Sequence, residues 1–170
     1  MKLFLALAAL LIINVSLFSA EHPGSTPEGI QVGSKAPEFT LKSVNGNTIR
    51  LADYKNKIVI LDFWATWCGP CRRGIPDLVS IQKEFTKDVV VIGISVEQET
   101  KMEVPMFMQK QHINYPVVFA TESVVNNYGG ISGIPTSFIV DQNGNIADTH
   151  VGLVEKQVLV SKIKSLLKKK

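Results

Sequence analysis

Residues 63–71, FWATWCGPC, are the most informative segment of the sequence and contain both cysteines of the chain, Cys68 and Cys71. It overlaps the end of KIVILDFWA, residues 57–65, whose nearly continuous apolar character is typical of a strand covered on both faces. A helical pattern then runs from Cys68 to about Phe85. A cysteine pair spaced C-x-x-C at such a strand-to-helix junction is typical of redox chemistry.

The position of the pair predicts its chemistry. At a helix N-terminus the first backbone N–H groups are unpaired and the helix dipole is positive, and both favour a thiolate. We therefore expect the pKa of the Cys68 thiol to lie below the free value of about 8.5. Gly69 and Pro70 let the second sulfur reach back to the first. We predict a Cys68–Cys71 redox disulfide in which Cys68 is the exposed nucleophile and Cys71, more buried, resolves the mixed disulfide.

Three other roles for the pair are disfavoured. A structural disulfide would close too short a loop to stabilise the chain. A zinc site would need two further ligands from His22, His112 and His150, which show no ligand spacing. A c-type haem site needs a histidine where Arg72 stands. We therefore predict no metal and no cofactor.

Composition and the N-terminus indicate one exported domain. The 170 residues are 45% hydrophobic, and the net charge of +3 is too small to indicate nucleic-acid binding. Residues 1–20 have the layout of a secretory signal peptide. A short membrane anchor is the alternative, although a helix over residues 3–18 reaches only about 24 Å against a hydrocarbon core of about 30 Å. Residues 21–33 predict a flexible lead-in and residues 34–170 the folded domain.

The order of predicted elements is hairpin, strand, helix, strand, helix, short strand, helix, hairpin and helix. Strands are predicted over 39–43, 48–51, 57–65, 89–96, 117–119, 136–141 and 145–151, and helices over 68–85, 100–111, 122–128 and 155–168. This order predicts a mixed α/β sheet with helices on both faces. The apolar residues of the second helix are interpreted as its core and flank, with a groove for a partner as the alternative: Met102, Met106, Phe107 and Met108.

Residues 63–73, FWATWCGPCRR, resemble the thioredoxin superfamily and, more narrowly, the exported TlpA/ResA-type thiol–disulfide oxidoreductases. Residues 36–39 with the first hairpin resemble that family's added N-terminal hairpin, and residues 133–141 resemble its cis-proline loop. The likeness covers residues 34–168 and implies a thioredoxin-like mixed sheet flanked by helices.

The resemblance also implies roles for individual residues. Pro135 would be cis and lie against the cysteines, with the backbone of Ile134 extended to pair with a substrate segment. Trp67, Gly69 and Pro70 match the motif and would shape the active site.

Two further positions concern proton transfer. Asp62 stands where thioredoxins carry a buried acid beneath the pair, and with a raised pKa it would take the proton of Cys71. The alternative for Asp62 is a partly exposed strand residue paired with a lysine. Gly74 stands where many TlpA/ResA-type relatives carry a glutamate, and glycine has no acid–base group.

The resemblance implies an enzyme that exchanges disulfides with other proteins outside the cytoplasm, in the periplasm or another extracytoplasmic compartment. Thioredoxin shares the Gly69-Pro70 dipeptide and is reducing, so we expect a protein-disulfide reductase that a membrane thiol donor of the DsbD type re-reduces. Cytochrome c maturation is one role of the family. The alternatives are a peroxiredoxin-type thiol peroxidase, whose Pro-x-x-x-Thr/Ser-x-x-Cys signature fails before both cysteines, and a non-catalytic binding module, which usually lacks one cysteine. We expect membrane association only if residues 1–20 are retained.

Overall fold

The computed structural model describes residues 30–168. The predicted signal peptide, residues 1–20, lies outside the described residues, as do residues 21–29 of the predicted lead-in. Within the described range, no helix has both the length and the apolar character needed to cross a membrane.

Seven strands and four α-helices make up the described part of the chain. The strands are β1 (Thr40–Lys42), β2 (Thr48–Arg50), β3 (Ile58–Trp64), β4 (Val89–Ser95), β5 (Val117–Phe119), β6 (Thr136–Val140) and β7 (Ile146–Val151). The helices are α1 (Gly69–Glu84), α2 (Val104–Lys110), α3 (Glu122–Asn127) and α4 (Lys156–Leu167). Every predicted strand and helix is present.

Strand β3 is the centre of a five-stranded sheet with the order β5-β4-β3-β6-β7. It pairs parallel with β4 and antiparallel with β6, and β7 adds antiparallel to β6. Strands β1 and β2 form a separate antiparallel pair, the predicted N-terminal hairpin. All seven residues of β3 are buried because both faces of the sheet are covered. The predicted mixed sheet with an added hairpin is confirmed.

Alternate residues of β3 face two separate cores. Ile60 and Trp64 pack with side chains of α1 and α4. Leu61 and Phe63 pack on the other face with α3 and the N-terminal hairpin. Because side chains alternate along a strand, Asp62 lies on the face under α1. The sheet therefore brings one carboxyl group beneath the helix that carries the cysteines.

The second predicted helix, residues 100–111, divides into a 3₁₀ turn, Lys101–Glu103, and α2. Met102 and Met106 are 91% and 76% exposed, so their interpretation as core and flank of the helix is wrong. Val104 and Phe107 take the side that faces the core, and the Phe107 ring lies 5.4 Å from that of Trp64. Met102 and Met106, four residues apart, share the opposite side.

The described end of the predicted lead-in contacts the first residue of β7, Ile146. The backbone N–H of Gly33 donates to the carbonyl of Ile146, and the N–H of Ile146 donates to the carbonyl of Ser34, both at 2.8 Å. Ile30 packs against the core on the α3 side. Residues 30–34 are therefore attached to the domain.

Candidate active site

The Cys68–Cys71 pair lies where β3 passes into α1. Cys68 is the N-cap residue of α1, and its Sγ accepts a hydrogen bond from the backbone N–H of Cys71 at 3.2 Å. Pro70 occupies the first turn, where its missing N–H removes no helical hydrogen bond. The Cys68 sulfur therefore lies at the positive end of a 16-residue helix.

The two cysteines form a disulfide, with an S–S distance of 2.04 Å and a Cα–Cα distance of 5.3 Å. Cys68 is 5% exposed and Cys71 2% exposed. Cys68 is thus the more accessible of the two, but in the disulfide form it is not the exposed residue that the sequence predicted. The backbone of Ile134 covers it, with the carbonyl oxygen 3.6 Å from Sγ.

The loop that carries Ile134 and Pro135 is fixed beside the pair. The Ile134–Pro135 peptide bond is cis, as the resemblance implied. The carbonyl of Pro135 accepts a hydrogen bond from the N–H of Gly152 at 2.8 Å, and the hydroxyl of Thr136 donates to the carbonyl of Gly133 at 2.7 Å. These hydrogen bonds tie the loop to the ends of β6 and β7, so the Ile134 backbone is held against Cys68.

Asp62 is buried behind the pair on β3, with 6% of its surface exposed. Together with Cys71, Pro135 and Ser137 it lines a cavity of about 30 Å³. Burial raises the pKa of Asp62 from 3.8 to about 7, because the charged carboxylate loses its hydration. The ion pairs within residues 30–168 do not include Asp62. The alternative of a partly exposed, lysine-paired residue is therefore wrong.

Gly74 lines the same cavity from α1. A Cβ at position 74 would lie 3.0 Å from Cδ1 of Leu153. Leu153 therefore occupies the space that a side chain at position 74 would enter. Within residues 30–168, the carboxyl groups on the cavity wall come from Asp62 and Asp77.

Apolar side chains surround the entrance to the site. Trp67, next to Cys68, is 66% exposed, and Val151 and Leu153, at the end of β7, are 74% and 47% exposed. Val151 lies near Gly133 of the cis-proline loop, and Leu153 lines the cavity behind Cys71. Exposed apolar groups that cluster around a reactive sulfur are typical of a surface that contacts another molecule.

Sequence reasoning missed Glu97, which is 2% exposed just beyond β4. Its Oε1 accepts hydrogen bonds from the backbone N–H of Thr66, at 2.9 Å, and from the Thr66 hydroxyl. Its Oε2 accepts one from the hydroxyl of Ser95 at 2.7 Å. Because Thr66 lies two residues before Cys68, Glu97 holds the segment that leads into the nucleophile. A lone glutamate after an apolar strand offers no local signal of this role.

Comparison with known proteins finds the same fold and the same cysteine chemistry. The AhpC/TSA family matches residues 32–149. Thioredoxin-like protein YneN of Bacillus subtilis is 36% identical over 137 residues, which are 79% of this chain and 80% of that protein. Thiol-disulfide oxidoreductase ResA of Bacillus subtilis is 32% identical over 163 residues, 93% of this chain and 89% of that protein. A solved thiol:disulfide interchange protein of the thioredoxin family from Chlorobium tepidum TLS superposes with a TM-score of 0.73 at 37% identity, covering 79% of this chain and 96% of that one.

The chain belongs to the AhpC/TSA family, and within it to the thioredoxin-like proteins of ResA type. With these relatives and its Cys68–Cys71 disulfide, it is a thiol–disulfide oxidoreductase. The fold and the class of enzyme predicted from the sequence are confirmed.

Proposed function

We propose that the protein is an exported reductase of protein disulfides. The observation that carries the proposal is the Cys68–Cys71 disulfide at the N-terminus of α1, beside the backbone of Ile134. In the reduced protein, the Cys68 thiolate attacks one sulfur of a substrate disulfide and the other sulfur leaves as a thiolate. Cys71 then attacks the Cys68 sulfur and releases the second substrate thiol. Two electrons pass to the substrate, and the Cys68–Cys71 disulfide forms.

An extended protein segment is the substrate that the surroundings of Cys68 favour. The backbone of Ile134 offers main-chain hydrogen bonds to an added strand, and such bonds accept many sequences. Trp67, Val151 and Leu153 then contact apolar side chains on either side of the substrate disulfide. Next to Cys68, a Cβ at position 69 would lie 3.9 Å from the nearest side-chain atom, a nitrogen of Arg73, so position 69 itself is not crowded.

Asp62 is the group we assign to accept the proton of Cys71. Cys71 must lose its proton before it attacks, because the thiolate is the nucleophile. Asp62 shares a cavity with Cys71, and a carboxyl with a pKa of about 7 can take up and release a proton at neutral pH. Removal of Asp62 therefore slows the resolving step more than the first attack.

The proposal includes a reducing direction and an extracytoplasmic location. The Gly69-Pro70 dipeptide supports a low reduction potential, and residues 1–20 support export. In an oxidising compartment the disulfide needs a source of electrons, and a membrane thiol donor of the DsbD type fits that need. Cytochrome c maturation, which the family resemblance of residues 63–73 implies, is one candidate client process. Gly74, in place of a glutamate, argues for clients beyond that process.

A redox titration of the Cys68–Cys71 couple and an insulin-reduction assay test the proposal. We expect a potential near about −270 mV, loss of insulin reduction in Cys68→Ser, and a stable mixed disulfide in Cys71→Ser. A potential near about −120 mV, or activity that survives Cys68→Ser, would contradict it. The redox state of the pair in cells, with and without the membrane donor, tests the direction.

A further inference from the structure

The cavity behind the cysteine pair has a second carboxyl group, that of Asp77 on α1. We propose that Asp77 is a proton-relay residue, which passes the proton between Asp62 and solvent through a water molecule in this cavity. The inference rests on the proposed function, because it supplies a route for the proton that Asp62 takes from Cys71.

Gly74 links Asp77 to the cysteine pair along α1. Cys71 and Gly74 are three residues apart, as are Gly74 and Asp77, so each is a neighbour of the next on the helix surface. All three line the cavity, and Gly74 puts no side chain between the other two. Asp62 reaches the same cavity from β3. Asp62 and Asp77 therefore line one cavity from two elements, the sheet and the helix.

The size and polarity of the cavity admit water. Its volume is about 30 Å³, which is enough for at least one water molecule. A buried water makes about three hydrogen bonds, and the polar side chains of Asp62, Asp77 and Ser137 line this space. A water bonded to both carboxyl groups can accept a proton from one and donate a proton to the other.

Asp62 needs such a route because it is 6% exposed. The remaining lining includes apolar side chains that exchange no proton: Leu78, Pro135, Leu153 and Leu159. Tyr115 does not supply the route either. Its pKa is raised well above 10.0, mainly by burial and to a smaller extent by the charge of Asp62, so its phenol stays protonated and accepts no proton. Asp77 is half-buried, so it borders both the cavity and solvent.

Ionisable groups on the neighbouring elements lie outside the lining of the cavity. On β7, Nε2 of His150 lies 3.7 Å from a carboxylate oxygen of Asp148. On α4, the ammonium of Lys156 lies 3.3 Å from a carboxylate oxygen of Glu84. None of these groups lines the cavity, which leaves Asp77 as the partner of Asp62 among the described residues.

The proton count of the resolving step balances. The Cys71 thiol gives its proton to the Asp62 carboxylate, and the new thiolate bonds to the Cys68 sulfur. The bond from that sulfur to the substrate breaks, and the substrate leaves as a thiolate. Asp62 then gives its proton to the water, the water gives one to Asp77, and Asp77 releases one to solvent. The departing thiolate takes up a proton from solvent.

The test compares Asp77→Asn and Asp77→Glu with a matched control, Asp88→Asn, whose carboxyl is exposed beyond the end of α1. Reduced protein is mixed with the aromatic disulfide dithiobis-nitrobenzoate, and thionitrobenzoate absorbance is followed by stopped flow. The first phase reports attack by Cys68. The second phase reports release of the remaining thionitrobenzoate by Cys71. Rates are recorded from about pH 5 to about pH 9, so that the profile spans the titration of Asp62.

We expect Asp77→Asn to lower the plateau of the second-phase rate about tenfold, less than the roughly hundredfold loss usual when the group that takes the proton directly is removed. The inflection near pH 7, which Asp62 sets, stays in place. Asp77→Glu restores the rate and Asp88→Asn leaves it unchanged. A purely structural role would instead move the inflection.

An inflection that moves in Asp77→Asn, or a second-phase rate that does not fall, overturns the relay. Neither result affects the proposed function, which requires that the first phase depend on Cys68 and the second on Cys71. If the wild-type protein shows no first phase that Cys68→Ser abolishes, the proposed function itself fails.

Discussion

Thr66 donates both its backbone N–H and its hydroxyl to one oxygen of Glu97, although 31 residues separate the two in sequence. The other oxygen of Glu97 accepts a hydrogen bond from Ser95, the last residue of β4. The Glu97 side chain thus joins the end of β4 to the segment that connects β3 with α1. Strands β3 and β4 are parallel neighbours in the sheet. Cys68 is therefore held both by the helix that it caps and by this buried carboxylate.

We expect Glu97→Gln to lower the free energy of unfolding by about 2 kcal/mol. An amide replaces one of the two acceptor oxygens with a donor, so at least one buried hydrogen bond is lost and its donor is left unpaired. Urea unfolding measures the change. Glu99→Gln, at an exposed position two residues on, is the control and should stay within about 0.5 kcal/mol of wild type. If the two variants are equally stable, the Glu97 contacts do not stabilise the junction.

The raised pKa of Asp62 predicts that the free energy of unfolding falls as the pH rises. Its pKa is 3.8 when exposed and about 7 when folded, so between these values the folded state binds more protons than the unfolded state. The free energy of unfolding therefore decreases between about pH 4 and about pH 7, by roughly 4 kcal/mol for this group, and the contribution is constant above that range. Asp62→Asn should remove this slope and be the more stable protein near pH 8. Urea unfolding of both proteins at about pH 5 and about pH 8 measures it. Parallel pH dependence of the two would contradict the raised pKa.

Gly93 is the β4 residue paired with Asp62, and it has no room for a side chain. A Cβ there would lie 2.8 Å from Nε1 of Trp64 and 3.3 Å from Cε2 of Tyr115. We expect Gly93→Ala to destabilise the protein by about 1 to 3 kcal/mol through overpacking. Thermal unfolding gives the size of the effect, and tryptophan fluorescence reports displacement of the indole. A variant with wild-type stability would show that the Trp64 ring can move away at little cost.

In contrast to Gly93→Ala, Gly74→Ala should stabilise the protein. Glycine inside a helix costs about 1 kcal/mol relative to alanine. The nearest obstacle, Cδ1 of Leu153, belongs to a flexible side chain that is 47% exposed and can turn away. We expect a gain of about 0.5 to 1 kcal/mol in the free energy of unfolding. A loss of stability would mean that Leu153 is fixed against α1.

The junction between β3 and α1 could be predicted because its signals are local. An apolar run precedes Cys68, and Pro70 suits the first turn of a helix. The cis peptide bond before Pro135 was predicted from the family resemblance, since residue periodicity does not distinguish cis from trans. The exposure of Met102 and Met106 was mispredicted because a cluster of apolar residues indicates a helix without showing which of its sides faces the core.

The order of the elements, the position of the cysteine pair at a helix N-terminus and the chemistry that this position favours all follow from the sequence. Which groups meet around the pair depends on the tertiary structure. Burial beneath α1 raises the pKa of Asp62, the Ile134 loop covers the Cys68 sulfur, and Glu97 reaches Thr66 from the next strand. These contacts join residues that are distant in the chain, and desolvation depends on every atom that packs around a group, so no local pattern of residues specifies them.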